Sequence, residues 1–283
     1  MGAYDDQQHS ITCAALWASD AQMWTDFILA IDARLAAGLL LSAGIGLSLG
    51  LIGGGGSIIT VPLLVYVMGV EPHAAMGMSL GVVGATSLVG AGMHYRGGTV
   101  RLRTGLIFAA AGMLGAYFGT RLTYMLSDVA LLLTFAGLMI VVALRMLMSG
   151  AGEGDGAGRA APLWTILTAG AGVGVLTGFL GVGGGFLIVP ALVFFGGLGM
   201  KEAVGTALLV IAMNSAAGLA GHMQRGAFDM RLAALVTLFA VAGVAVGARL
   251  AHRASPERLR QWFAWFVLAV ALLLVVKNLP AVM

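Results

Sequence analysis

Long apolar stretches follow one another along this chain from Leu35 to Val276, and few charged residues interrupt them. Val129 to Leu144 and Trp262 to Val276 are two unbroken examples. About 20 apolar residues span the hydrocarbon core of a bilayer, and backbone polar groups at that depth must be bonded internally. Only helices and closed barrels meet that condition. Barrel strands would be short and would alternate apolar with polar residues, whereas these runs are long and uniform. The chain is therefore read as an all-α integral membrane protein with the lipid bilayer as its solvent. Only 10% of its residues are charged, against about 25% in a soluble domain, so water alone does not suit this fold.

The second constraint is internal repetition. A shift of about 128 residues lays Ala43 to Ser127 over Ala171 to Ser255 without a gap, with roughly 25 identities. AGIGLSLGLIGGGGSIITVP (Ala43 to Pro62) lies over AGVGVLTGFLGVGGGFLIVP (Ala171 to Pro190). Gly77 falls on Gly205, Ser87 on Ser215, His94 on His222 and Arg121 on Arg249. Shared apolar composition would not keep polar and glycine positions in register. The chain divides into an acidic N-terminal extension (1–34) that reads as an interfacial helix, a first membrane repeat (35–148), a Gly-rich linker (149–162) and a second repeat (163–283). The N-terminus lacks the positive region of a signal peptide, so the spans themselves are expected to direct insertion.

Each repeat contains one glycine-broken segment and three clean ones. Leu35 to Met68 is interrupted at Gly53 to Ser57, and Leu163 to Phe195 at Gly181 to Gly185. Four glycines in series cost a helix about 3 to 4 kcal/mol relative to alanine, so the helix is expected to stop there. Broken helices at membrane depth are tolerated only against protein or a wet cavity. The second half-helix would then present free N–H groups and a positive dipole end to an anion. Interruptions at matching places in two repeats are a pointer to a transporter site. The substrate-binding candidates are therefore Gly53, Gly54, Gly55, Gly56 and Ser57 in the first repeat and Gly181, Gly183, Gly184 and Gly185 in the second. Gly115, Gly119, Gly243 and Gly247, at every fourth position of clean spans, read instead as helix-packing glycines.

Ser87, Asn214 and Ser215 join the candidates as polar groups inside spans. Asn214 either bonds another helix or contacts substrate. Ser57, Thr60 and Thr177 lie beside the breaks, where a hydroxyl either satisfies a freed carbonyl or meets a ligand. His94 and His222 occupy equivalent span ends, and each is either a solvated terminus or a proton-coupling group. No nucleophile–base pair, paired catalytic carboxylate or metal-ligand cluster emerges, and Cys13 is the sole cysteine. Neither an enzyme nor a cofactor or metal site is expected, and nothing suggests nucleic-acid binding. No GxxxxGK[ST] loop is present, so energy would come from a gradient.

At the two glycine elements the chain resembles the sulfite exporter TauE/SafE family of membrane transporters. The likeness rests on GLIGGGGSIITVP (Gly50 to Pro62), its echo GFLGVGGGFLIVP (Gly178 to Pro190), and HYRGGTV (His94 to Val100) with HMQRGAF (His222 to Phe228). It covers the chain from residue 35 onward and leaves out the acidic extension. The resemblance implies secondary active transport of sulfite, a sulfonate or a related organic anion in the cell membrane. An anion channel and a membrane-embedded enzyme or assembly factor are the rivals.

If each broken segment folds back as a re-entrant hairpin, a repeat has three crossings and the two copies are inverted. If it crosses fully, the copies are parallel. With hairpins and an outside N-terminus, about 10 Lys and Arg fall inside and about 5 outside, a better split than the roughly 9 to 6 of the eight-crossing alternative. The inverted arrangement is preferred.

Overall fold

The computed structural model describes residues 33–122, 128–148, 161–180, 185–222 and 229–278. Among them every regular element is helical. Helix α1 (Ala33–Ile52) is followed by α2 (Gly56–Pro62), which runs on into a π-helical turn (Leu63–Val67). Then come α3 (Pro72–Arg96), α4 (Leu102–Leu122) and α5 (Asp128–Met148). The later residues form α6 (Leu163–Leu180), α7 (Gly185–Phe194), α8 (Met200–His222), α9 (Met230–Arg253) and α10 (Pro256–Asn278). Four stretches among the described residues are long and apolar enough to cross a membrane: Arg34–Ile52, Ala74–Arg96, Met200–Ala220 and Met230–Arg253. The expectations for residues 1–32, for 149–160 and for Gly181, Gly183 and Gly184 lie outside the described residues.

Glycine decides how these helices meet. Lipid tails are as apolar as leucine, so helices in a membrane associate through close van der Waals fit rather than water exclusion. Gly46 lies on the backbone of Ala240 and Gly50 on that of Val244, so α1 and α9 run side by side in the same direction. Gly170 on Phe108 and Gly174 on Gly112 align α6 with α4 in the same way. A Cβ on Gly115 would overlap the Ala171 carbonyl, and one on Gly243 that of Ala43. Both are packing glycines, as their spacing predicts. The third major pair is opposed: Gly84 meets Ser215, Gly90 meets Leu208 and Gly218 meets Leu80, so α3 and α8 run antiparallel. Helix α5 packs on α10.

The first helix break reverses the chain. Gly56 faces Ile45, and Gly38, nearer the start of α1, faces Met68. The α2 segment thus returns alongside α1. The π turn is a feature the sequence reading missed. Pro62 has no N–H to donate and crowds the preceding turn, and the ladder is re-satisfied by a wider step, Met68 N to Leu63 O at 3.1 Å. Large apolar side chains such as Leu40, Leu88, Leu238 and Trp164 are exposed at the periphery, where acyl chains would cover them. The main core gathers α7 and α8 with Met139 and Met146 of α5 and Phe263 and Val267 of α10.

Candidate functional site

The last ladder bond of α1 joins Gly53 N to Leu49 O at 2.8 Å. Gly53 then takes φ of +78°, a conformation that carries little penalty only for glycine. It lies flat on α8, and a Cβ there would stand 2.8 Å from Val204 Cα. Gly54 touches the backbone of Gly185 so closely that a Cβ would overlap the Gly185 carbonyl. In return, a Cβ on Gly185 would lie 2.6 Å from Ser57 Oγ and 3.1 Å from Gly54 O. Residues of the two glycine series, more than a hundred positions apart in sequence, are thus in direct backbone contact. Gly55 faces the Phe266 ring, at 2.5 Å from a built Cβ. Gly53 to Gly56 and Gly185 are all buried.

The hydroxyls beside the breaks bond carbonyls of the preceding turn, three or four residues back. Ser57 Oγ donates to Gly54 O at 2.9 Å, Thr60 Oγ1 to Gly56 O at 2.9 Å, and Thr177 Oγ1 to Gly174 O at 3.0 Å. Carbonyl oxygens therefore stand at the junction together with the N–H groups anticipated from the half-helix ends. Where α3 crosses α8, Thr86 Oγ1 donates to Val82 O at 2.6 Å. Ser215 is buried against Gly84. Ser87 is fully buried, and neither its Oγ nor the buried Asn214 Oδ1 has a hydrogen-bond partner among the described residues. An unsatisfied buried group of this kind costs about 1–3 kcal/mol. Ser87 and Asn214 make no hydrogen bond to the glycine junction.

His94 is not a solvated helix end. It is 1% exposed, with Nε2 3.2 Å from Gly50 O and Nδ1 2.9 Å from Thr99 Oγ1. Its ring centroid lies 4.9 Å from that of His252, a neighbour the sequence reading did not single out. The only hint was that His94 and Gly50 are both duplicated, as His222 and Gly178. His222 ends α8, and its side chain lies outside the described residues. Nearby, Arg101 Nε donates to Glu202 Oε1 at 3.0 Å. That hydrogen bond, and then the carboxylate charge, hold the Arg101 guanidinium above its usual pKa. Among the described residues no group of three or more His, Cys, Asp or Glu side chains could hold a metal ion.

Helices of spanning length, close-packed through glycine with apolar side chains outward, define a multi-pass helical membrane protein. The family model for the sulfite exporter TauE/SafE family matches residues 38–274, and the chain belongs to that family. It is 35% identical over 241 residues to a probable membrane transporter protein of Xylella fastidiosa (strain 9a5c), covering 83% of this chain and 92% of the relative. It is 30% identical over 209 residues to the probable membrane transporter protein YdhB of Bacillus subtilis (strain 168), covering 72% and 85%. The probable membrane transporter protein YjnA of the same organism is 28% identical over 253 residues, covering 84% and 98%. No solved structure matches. The chain is thus a membrane transporter of the cell membrane, and its relatives carry transporter names rather than enzyme names.

Proposed function

We propose that this protein is a secondary active transporter that moves sulfite or a small sulfonate by alternating access, through a site where the two glycine breaks meet. The observation that carries the reading is the backbone contact of Gly54 with Gly185. A transporter built from two inverted repeats brings its broken helices together near the midplane, and the packing agrees with inversion. Under the 128-residue shift α1 becomes α6 and α9 corresponds to α4, so the α1–α9 and α4–α6 contacts exchange. Helices α3 and α8 exchange with each other and run antiparallel. Parallel copies would make that pair parallel. Together with the reversal after α1, this supports repeats at 35–148 and 163–283, each a re-entrant hairpin plus three spanning helices.

The chemistry suits an anion. Each returning half-helix contributes roughly half a positive charge at its start. Ser87 and Asn214, with Ser215, supply a hydroxyl and an amide that orient oxygen atoms by hydrogen bonds. Gly181, Gly183 and Gly184 complete the second break in this reading. Uptake of sulfite into proteoliposomes is the test. Saturable uptake driven by an imposed pH or ion gradient supports the reading. Flux that no coupling gradient drives and that does not saturate would favour an anion channel.

A further inference from the structure

We propose that His94 is a positioning residue: as a neutral, permanent hydrogen-bond donor it holds the Gly50 carbonyl and thereby fixes the first glycine turn against α8. The functional consequence rests on the reading of the break as the transport site, whereas the positioning itself does not.

In an unbroken helix Gly50 O would accept from Gly54 N. The turn at Gly53 carries Gly54 away toward Gly185, and His94 Nε2 takes its place at 3.2 Å. A carbonyl only accepts, so Nε2 carries the proton. Nδ1 of the neutral ring is then an acceptor, and the Thr99 hydroxyl, 2.9 Å from Nδ1 and 3.0 Å from the His94 carbonyl, has one proton within reach of both. With that proton given to Nδ1, both ring nitrogens are satisfied without a charge.

Three consecutive residues of α8 hold the two ends of this arrangement. Val204 lies under Gly53. Gly205 lies under Thr99 and His94, with a built Cβ 2.7 Å from Thr99 O and 3.0 Å from His94 Cβ. Thr206 Oγ1 accepts from Arg101 N at 3.0 Å. Only glycine at 205 lets the 97–101 turn come this close. The path from Gly53 through Val204 and Gly205 to Thr99, His94 and back to Gly50 is a closed circuit. Moving the ring moves the break.

The charged surroundings favour the neutral ring. His252 of α9 stands at 4.9 Å, and Lys201 of α8 donates to the His252 carbonyl at 2.9 Å. Arg96 follows His94 on its own helix, Arg253 follows His252, and Arg101 lies beyond the turn. Glu202, the acid on this part of α8, is engaged by Arg101. Added charge on His94 would thus meet cations, with no carboxylate among the described residues bonded to the ring.

Gln at 94 keeps an N–H donor that reaches the same carbonyl and does not titrate, while Leu keeps bulk and loses the donor. In reconstituted protein we expect His94→Gln to take up sulfite within about threefold of wild type with an unchanged pH profile, and His94→Leu to lose about tenfold or more. Amide hydrogen exchange at Gly53 to Gly56 should rise in the Leu variant and not in the Gln variant, a readout independent of transport. Thr99→Val, which frees the ring, should raise the same exchange by less and serves if the Leu variant does not fold. Loss of gradient-driven uptake in His94→Gln with exchange unchanged would make His94 a proton carrier and overturn the proposal. Unchanged exchange in both the Leu and Val variants would also overturn it. Absence of sulfite uptake by the wild type with the exchange pattern intact would instead refute the functional reading alone.

Discussion

The two segments that follow the glycine breaks share a sequence pattern and differ in their surroundings. In α7, every residue from Gly185 to Val193 is buried. Across the α2 segment and its π turn, only Gly56, Thr60, Leu63 and Leu64 are buried, and Tyr66 is 80% exposed. A largely apolar cleft of about 400 Å³ opens between α1 and this segment, lined by Leu41, Ser48, Ile59, Pro62 and Phe266 among others. The equivalent residues differ as well. Ser57 and Thr60 correspond to Gly185 and Ile188, so one segment carries hydroxyls that bond its own backbone and the other carries only packing surface. A local repeat sets where a helix breaks. What covers the returning limb depends on neighbours contributed by the rest of the chain.

The largest effect on transport is expected at the contact itself. Gly54→Ala places a methyl on the Gly185 backbone, which cannot rotate away, whereas Gly55→Ala meets the Phe266 ring, which can. We expect Gly54→Ala to abolish sulfite uptake and to destabilise by about 1–3 kcal/mol, with Gly55→Ala retaining measurable transport. Uptake by both variants, normalised to the amount inserted, checks this. Equal behaviour would mean that the contact does not distinguish the two positions.

Next come substitutions that compare the limbs directly. Leu192→Ala in α7 removes a fully buried side chain and should cost about 2–5 kcal/mol. Tyr66→Ala in the exposed π turn should change stability by about 0.5 kcal/mol or less. Unfolding in detergent read by tryptophan fluorescence measures both. A Tyr66→Ala loss as large as that of Leu192→Ala would remove the asymmetry.

Much of the frame was legible in the sequence, because helix length, apolar composition and glycine series are local properties. The break at Gly53 follows from propensity alone, and α1 and α5 lie within a few residues of the apolar runs read from the sequence at Leu35 and at Val129 to Leu144. The π turn was not legible. Pro62 and Pro190 are equivalent, and each is followed by a bond five residues back, Met68 N to Leu63 O and Gly196 N to Ala191 O, both at 3.1 Å, but a full π-helical turn forms only after the first. The environment of His94 was also hidden, since Gly50, Val204 to Thr206 and His252 approach it only through tertiary packing. A histidine at a span end reads as solvated until the helices around it are placed. Likewise nothing local announces that Arg101 meets Glu202, 101 positions away.

That ion pair gives the smallest expected effect. Its arginine side chain is 58% exposed, and an exposed pair is worth about 0.2–1 kcal/mol. Under the repeat shift Arg101 corresponds to Asp229 and Glu202 to Ala74, so this tie is not duplicated. Glu202→Gln should lower stability by less than about 1 kcal/mol, and the difference should vanish at high salt. A loss that persists in high salt would point to packing rather than charge.

The central claim is that an oxyanion binds between the two breaks, beside Ser57 and Gly185. Its most direct test uses Cys13→Ser, Ser57→Cys protein, in which the sole thiol stands at the junction. The rate of maleimide labelling is measured with and without a small sulfonate, and with chloride at equal ionic strength. The account predicts that the sulfonate slows labelling in a saturable way and that chloride slows it less. A sulfonate that protects the protein against thermal unfolding yet leaves the labelling rate unchanged would place the anion elsewhere and contradict the account.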